Sequence, residues 1–219
     1  MSTRRLHPDQ PASFAFSEAS MADVRFWLGK YPPDRKRSAV IPLLWIVQKQ
    51  AGWVSEPAIR LIADMLEMPI VRVLEVATFY TMFHLSPVGR HHLQVCGTTP
   101  CMLRGAERLK EVCKRRIGAK HQPTADGKLS WEEVECLGAC VNAPVVAIDD
   151  YYHEDLAPEA LDALIDKLLD GETITPGSAI GRQTSAPEGG PHVLIDPALY
   201  DGTLAQPITL PNRPVKEDA

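Results

Sequence analysis

Apolar residues recur every three to four positions through the first third of the chain, a period that predicts helices. In FSEASMADVRFWLGK, Ser17 stands at an N-cap position and Met21, Val24, Trp27 and Leu28 fall on one stripe. SAVIPLLWIVQKQAG follows, starting at Ser38, with Pro42 in its first turn and a stop near Gly52. Its apolar positions run nearly all the way round, which puts it at the centre of a bundle or against another protein. SEPAIRLIADMLEM opens on Ser55 as cap, carries Pro57 in its first turn, and sets Ile59, Ile62, Ala63 and Leu66 at core spacing. PIVRVLEVATFYTMF repeats the pattern with Pro69, Ile70, Val73, Leu74 and Ala77, and YTMF at its end is expected in the core. A helical bundle is therefore expected over residues 17–85, after an N-terminal extension of residues 1–16.

Beyond HLSPVGR the period changes. HHLQVC reads as a short strand, and residues 101–117 read as one amphipathic helix with Leu103, Ala106, Leu109, Cys113 and Ile117 on one face. LSWEEVEC alternates as a second strand, PVVAIDD and YYHED form a hairpin turning at Asp149 and Asp150, and APEALDALIDKLLDG closes as a helix at Gly171. The order β-α-β-β-β-α over residues 86–171 predicts an α/β unit with a small mixed sheet, so the whole chain is read as α+β. Residues 172–219 hold seven prolines and only two short apolar patches, HVLIDPALY and QPITL. That composition predicts an extended Pro-rich arm that orders on a partner, or a disordered tail.

With 219 residues, 45% of them hydrophobic, the chain has material for a real core. A formal charge of -5 argues against a broad nucleic-acid footprint, which needs concentrated Lys and Arg. The longest apolar run, Ala39 to Val47, has nine residues and contains Pro42, against the roughly 20 that a spanning helix needs. No membrane insertion is expected. The opening residues lack the apolar core of a secretory signal, so a cytosolic or equivalent reducing space is expected.

The five cysteines change the picture most. An odd number in a reducing space disfavours a disulfide framework and favours metal or redox chemistry. Cys96 and Cys101 flank GTTP, and Cys136 and Cys140 flank LGA. Such short Gly-containing loops let backbone N–H groups approach the sulfurs, and Cys101 falls where a helix should begin. Four thiolates around an oxidised two-iron, two-sulfide core would carry 2-, and one added electron 3-, so oriented N–H donors would matter for its potential. A closed four-thiolate zinc site is the rival, and spacing alone leaves the two equally open. A thioredoxin-type dithiol is disfavoured, because no pair has Cys-x-x-Cys separation. Cys113 belongs on the apolar face of its helix as a packed thiol. His91 and His92 adjoin the first cysteine, but neighbours on a strand face opposite sides and four sulfurs already complete a set. There is no G-x-G-x-x-G after a strand and no Walker loop, so neither NADH nor flavin is expected to bind this chain unaided.

LWIVQKQAGWVS, VATFYTMF, VCGTTPCMLRG and ECLGACVNAP, in that order, resemble the 24-kDa-type subunit family of NADH:quinone oxidoreductase, respiratory complex I. The resemblance implies a thioredoxin-like [2Fe-2S] ferredoxin domain after the helical bundle. It implies one [2Fe-2S] cluster with Cys96 and Cys101 on one iron and Cys136 and Cys140 on the other. It further implies an electron-transfer subunit of an NADH dehydrogenase, with no complete active site of its own. That subunit would exchange single electrons with a flavin, the FMN and NADH being held by an adjacent NADH-binding flavoprotein subunit. Other peripheral-arm iron–sulfur subunits are implied as further partners. The implied location is peripheral, on the cytoplasmic side of the bacterial inner membrane, or on the matrix side if organellar. Two alternatives remain: the same module in an NAD-linked formate dehydrogenase or NAD-reducing hydrogenase, and a non-redox, zinc-bound assembly factor.

Overall fold

The computed structural model describes residues 4–182, 189–190 and 192–199. The rest of the expected C-terminal arm, QPITL included, lies outside the described residues. Two main hydrophobic cores form along the chain, one in its helical first part and one around a five-stranded sheet.

Four helices build the first: α1 (Glu18–Gly29), α2 (Val40–Ala51), α3 (Glu56–Leu66) and α4 (Ile70–Phe79). The Ser17 hydroxyl caps α1 by accepting the Ser20 N–H at 3.1 Å. α2 begins two residues later than its sequence suggested, because Pro33–Ala39 winds as a 3-10 helix after Pro32. Its apolar girdle is mostly core: Leu43, Leu44 and Val47 are fully buried. Ile41, Pro42 and Trp45 instead border, with Trp27, a groove of about 430 Å³. Ser55 sits at the N-cap of α3 but its side chain does not cap; the Gln10 side-chain oxygen accepts the Glu56 N–H at 2.7 Å instead. The N-terminal extension thus docks on the bundle. Arg4 does the same at the end of α4, donating to the carbonyls of Ala77 (3.3 Å), Thr78 (3.2 Å), Tyr80 (2.8 Å) and Phe83. A cation there satisfies the orphan acceptors of a helix C-terminus. In YTMF, Phe83 is fully buried and Met82 packs on the core, whereas Tyr80 is exposed.

The second part contains β1 (His91–Cys96), α5 (Thr99–Leu103), α6 (Ala106–Arg116), β2 (Leu129–Val134), β3 (Val146–Ile148), β4 (Tyr151–Glu154), α7 (Pro158–Asp170) and β5 (Gly177–Ser178). The sheet order is β2-β1-β3-β4-β5. β1 and β2 are parallel, joined through the helices between them, with His91 opposite Leu129 and Cys96 opposite Val134. β3 runs antiparallel to both β1 and β4, with Asp149 and Asp150 at the hairpin turn. Leu93, Val95, Trp131, Val146 and Ile148 from the sheet meet Leu109, Cys113, Leu161 and Ile165 from α6 and α7. Burial of these side chains contributes on the order of 2 kcal/mol each and dominates the unit's stability.

Two features differ from expectation. The single helix over 101–117 is broken into α5 and α6 at Gly105, whose φ of +105° a helix cannot accommodate. The fifth strand was not expected: Gly177–Ser178, at the start of the Pro-rich segment, pairs in parallel with His153–Glu154.

Candidate metal centre

Cys96 is the last residue of β1, and its N–H donates to the Val145 carbonyl at 3.1 Å. Cys101 is the third residue of α5. Both are buried, and with Ala106, Ala143 and Val145 they form a small apolar cluster at the end of the sheet. A helix of five residues has little dipole to offer, so the expected help from a helix start gives way to individual hydrogen bonds.

Cys136 and Cys140 lie on an exposed loop, their sulfurs 3.5 Å apart. Gly138, at φ +82°, folds its N–H back to the Cys136 sulfur at 3.4 Å. The loop is held from outside: the Tyr152 hydroxyl donates to the Leu137 carbonyl at 2.9 Å, and Arg182 donates to the Val141 carbonyl at 2.8 Å. Asn142 is gripped through its side chain by Glu154 at 2.6 Å and through its carbonyl by the Asp155 N–H at 2.8 Å. Ala143–Pro144 is cis.

The two loops interlock. Leu137 and Ala139, from the second loop, pack against the cluster of Cys96 and Cys101, and the Leu137 backbone and Thr98 side chain act across the junction to lower Cys96 and Cys136 respectively. Thr98 Oγ1 also lies 3.4 Å from Cys96 Sγ. Burial raises the Cys96 pKa, but hydrogen bonds from Thr98, Leu137 and Cys101 bring it below the ordinary thiol value. Cys101 is pushed up to about 12, by burial and by its hydrogen bond to Cys96. The same division holds in the exposed pair: Cys136 is lowered, chiefly by the Gly138 N–H, and Cys140 is raised by Cys136. In each pair one thiol is therefore lowered and its partner raised, as two groups sharing a hydrogen bond and a developing like charge should be.

The donor chemistry can be tested against the two rival groups. A tetrahedral metal with bonds of about 2.3 Å spaces two sulfurs by about 3.8 Å. The Cys136–Cys140 separation of 3.5 Å suits two corners of one such metal. Among the described residues, the donor set close enough for a single ion contains no cysteine. Four sulfurs in two separate pairs fit a two-iron core better than one closed zinc.

Cys113 is fully buried between α6 and the sheet, its thiol pushed up to about 12 by burial, and it is remote in character from the other four. His91 bonds Asp149 at 2.7 Å, and His92 is buried against Ser130 and Glu132. Leu137 and Gly138 were not singled out in the sequence, since backbone groups carry no side-chain signature; nor was Thr98, although its hydroxyl is visible in GTTP between the first two cysteines.

Glu133 also supports the site. Its carboxylate lies so close to Gly97 that a Cβ there would stand 2.4 Å from Oε1. Lys110 at 2.8 Å and Lys120 at 2.7 Å hold its two oxygens and bring its pKa down to about 2. A carboxylate depressed in this way adds stability above its unfolded value near 4.5 and loses it as pH falls toward 2. Urea unfolding of Glu133→Gln should lie about 1–2 kcal/mol below wild type at pH 7 and converge with it near the lower limit of that window. A constant gap across the window would show that the ionised pair is not the cause.

The comparisons with known proteins agree with this geometry. Residues 24–169 match the thioredoxin-like [2Fe-2S] ferredoxin family. An E-type subunit of the NADH-quinone oxidoreductase of Rhizobium meliloti (strain 1021) is 55% identical over 196 residues, 87% of this chain and 71% of that protein. The E-type subunit from Rickettsia bellii (strain RML369-C) is 54% identical over 158 residues, 71% of this chain and 95% of the relative. In fold, the chain is similar to a NAD+-reducing [NiFe]-hydrogenase, with a TM-score of 0.52 and 21% identity, over 60% of this chain and 22% of the hydrogenase chain. The chain belongs to the thioredoxin-like [2Fe-2S] ferredoxin family and, within it, groups with the E-type subunits of NADH-quinone oxidoreductases.

Proposed function

We propose that this chain is the electron-transfer subunit of an NADH:quinone oxidoreductase and holds one [2Fe-2S] cluster. Cys96 and Cys101 would bind one iron and Cys136 and Cys140 the other. The observation that carries this reading is the meeting of the two cysteine loops, Leu137 and Ala139 of the second packing on the Cys96–Cys101 cluster of the first. When bound, the cluster supplies acceptance and return of single electrons.

The protein's own groups suit that task. The Gly138 N–H and the Thr98 hydroxyl lie against sulfur, where they oppose added negative charge. One pair is buried and the other exposed, so any electron crosses to a partner on the Cys136–Cys140 side. Around that side Met102, Leu103 and Val141 are exposed apolar residues. Such a surface favours docking of another subunit. Its occupant would be the NADH-binding flavoprotein subunit, which carries FMN and NADH, with further iron–sulfur subunits of the peripheral arm beyond. No helix among the described residues is long and apolar enough to cross a membrane. The attachment in this reading is peripheral, through the complex, on the cytoplasmic or matrix side.

Mild capture of the native assembly tests the reading. The chain should bring down an FMN-containing, NADH-oxidising subunit together with quinone-linked partners, and the purified chain should be red-brown. A formate dehydrogenase or hydrogenase subunit in their place would move the module to another NAD-linked complex. A colourless zinc protein without acid-labile sulfide would end the redox reading altogether.

A further inference from the structure

A second set of metal donors lies at the junction between the helical part and the sheet. We propose that His84, His92 and Glu132 form a zinc site separate from the four cysteines. Their donor atoms all lie within 4.8 Å of one another. Each comes from a different segment: His84 from the turn after α4, His92 from β1 and Glu132 from β2.

The surroundings hold these donors as an outer shell of a metal site does. His92 is buried, and its Nδ1 lies 2.7 Å from Ser130 Oγ on the neighbouring strand. Without a metal Nε2–H donates to Glu132 at 3.2 Å; when an ion displaces that proton, Ser130 Oγ accepts from Nδ1–H and Nε2 is left free to ligate. Gln94 donates to the same Glu132 oxygen at 2.8 Å, fixing the carboxylate. The His84 backbone is anchored by its N–H on Gln48 (2.7 Å) and its carbonyl on the Val54 N–H (2.8 Å). Its ring touches His92 edge-on at 4.6 Å between centroids, and its nitrogens have no hydrogen-bond partner among the described residues. A half-buried imidazole whose nitrogens are engaged by no protein group keeps a lone pair available to ligate.

Zinc suits two imidazoles and a carboxylate, with bonds of about 2.0–2.2 Å and a fourth position for water. Tetrahedral bonds of that length space the donors by about 3.4 Å; His92 and Glu132, 3.2 Å apart, already meet that spacing, and the His84 donor lies within 4.8 Å of both. The closing movement would fall to the His84 ring, whose rotation breaks no hydrogen bond among the described residues. The protonation states also suit: burial holds His84 down to about 4, and Glu132 is held at about 2 by His92 and Gln94 against its burial. Arg4 is the opposing cation nearby, acting on both His84 and Glu132, but its guanidinium is engaged by four carbonyls at the end of α4. An ion bound here would tie the end of the helical bundle to the two strands that lead toward Cys96 and Cys136.

The test uses the full chain with its cysteines accounted for by iron and acid-labile sulfide assays on the same sample. Equilibrium dialysis against zinc alone should give one zinc per chain beyond the cysteine site. His84→Ala and Glu132→Gln should each weaken it by more than about tenfold, with the visible spectrum unchanged. Zinc absorption fine structure on wild type should show only nitrogen and oxygen neighbours at about 2.0–2.2 Å. A sulfur shell at about 2.3 Å, no stoichiometric zinc, or unaltered affinity in both variants would overturn the assignment.

Discussion

Serine in place of Cys96, Cys101, Cys136 or Cys140, one at a time, should abolish or strongly distort the electron paramagnetic resonance signal of the reduced protein. Loss of an outer-shell partner typically lowers metal affinity 10–100-fold, and loss of a sulfur ligand should exceed that. The four variants should not behave alike. Cys136 and Cys140 are exposed, so their replacement leaves the fold intact and reports on the site alone. Cys96 and Cys101 are buried, and serine there also places a hydroxyl in an apolar cluster, so a fall in thermal stability should accompany the lost signal. Cys113→Ser is the internal control. It buries a hydroxyl between α6 and the sheet, at a stability cost of about 1–3 kcal/mol, yet should keep the full signal. Disappearance of the signal in Cys113→Ser alone would refute the ligand set.

The largest purely structural effect is expected at Gly89, just before β1. An added Cβ would stand 2.3 Å from the Leu129 carbonyl carbon, 2.6 Å from its oxygen and 2.7 Å from its Cα. All three are backbone atoms of a strand start paired with His91, so none can swing aside. The Gly89 N–H also donates to Ser130 Oγ at 2.8 Å, which fixes the approach. Gly89→Ala must therefore push β2 away from β1, a cost of about 3 kcal/mol. In a domain of this size that lowers Tm by about 6–12 °C. The cysteine site lies at the other end of the same strands, where Cys96 faces Val134, so the low-temperature spectrum should survive. Gly97→Ala makes the useful contrast. Its nearest obstacle is the Glu133 side chain, which can turn away at the expense of its lysine pairs, and its effect should be felt at the first cysteine loop. A Gly89→Ala protein melting within about 2 °C of wild type would contradict the close approach.

Much of this was legible in residue order. Periodicity found α1 to α4, the strands from His91 and Leu129, the hairpin turning at Asp149 and Asp150, and α7, because each buries one face and repeats with its own period. The cysteine spacing pointed to metal chemistry, and four ordered motifs carried the resemblance to the family that the comparisons then showed. The break at Gly105 was harder to read, since the apolar stripe continues across it while the backbone does not. Capping of α3 by Gln10 and of α4 by Arg4 spans tens of residues, and no local pattern encodes it.

By itself, then, the chain's order of residues determined the helix and strand pattern, the candidate sulfurs and the kind of chemistry four thiols can support. These follow from local periodicity and from side-chain identity, which are written residue by residue. Only the tertiary structure decided which pair is buried and which exposed, that Leu137 and Ala139 pack on the opposite loop's cysteines, and that Gly177–Ser178 extends the sheet. It alone brought His84 beside His92 and Glu132. Those outcomes depend on backbone donors and on contacts between distant segments, and such contacts exist only once the hydrophobic cores have set the segments side by side.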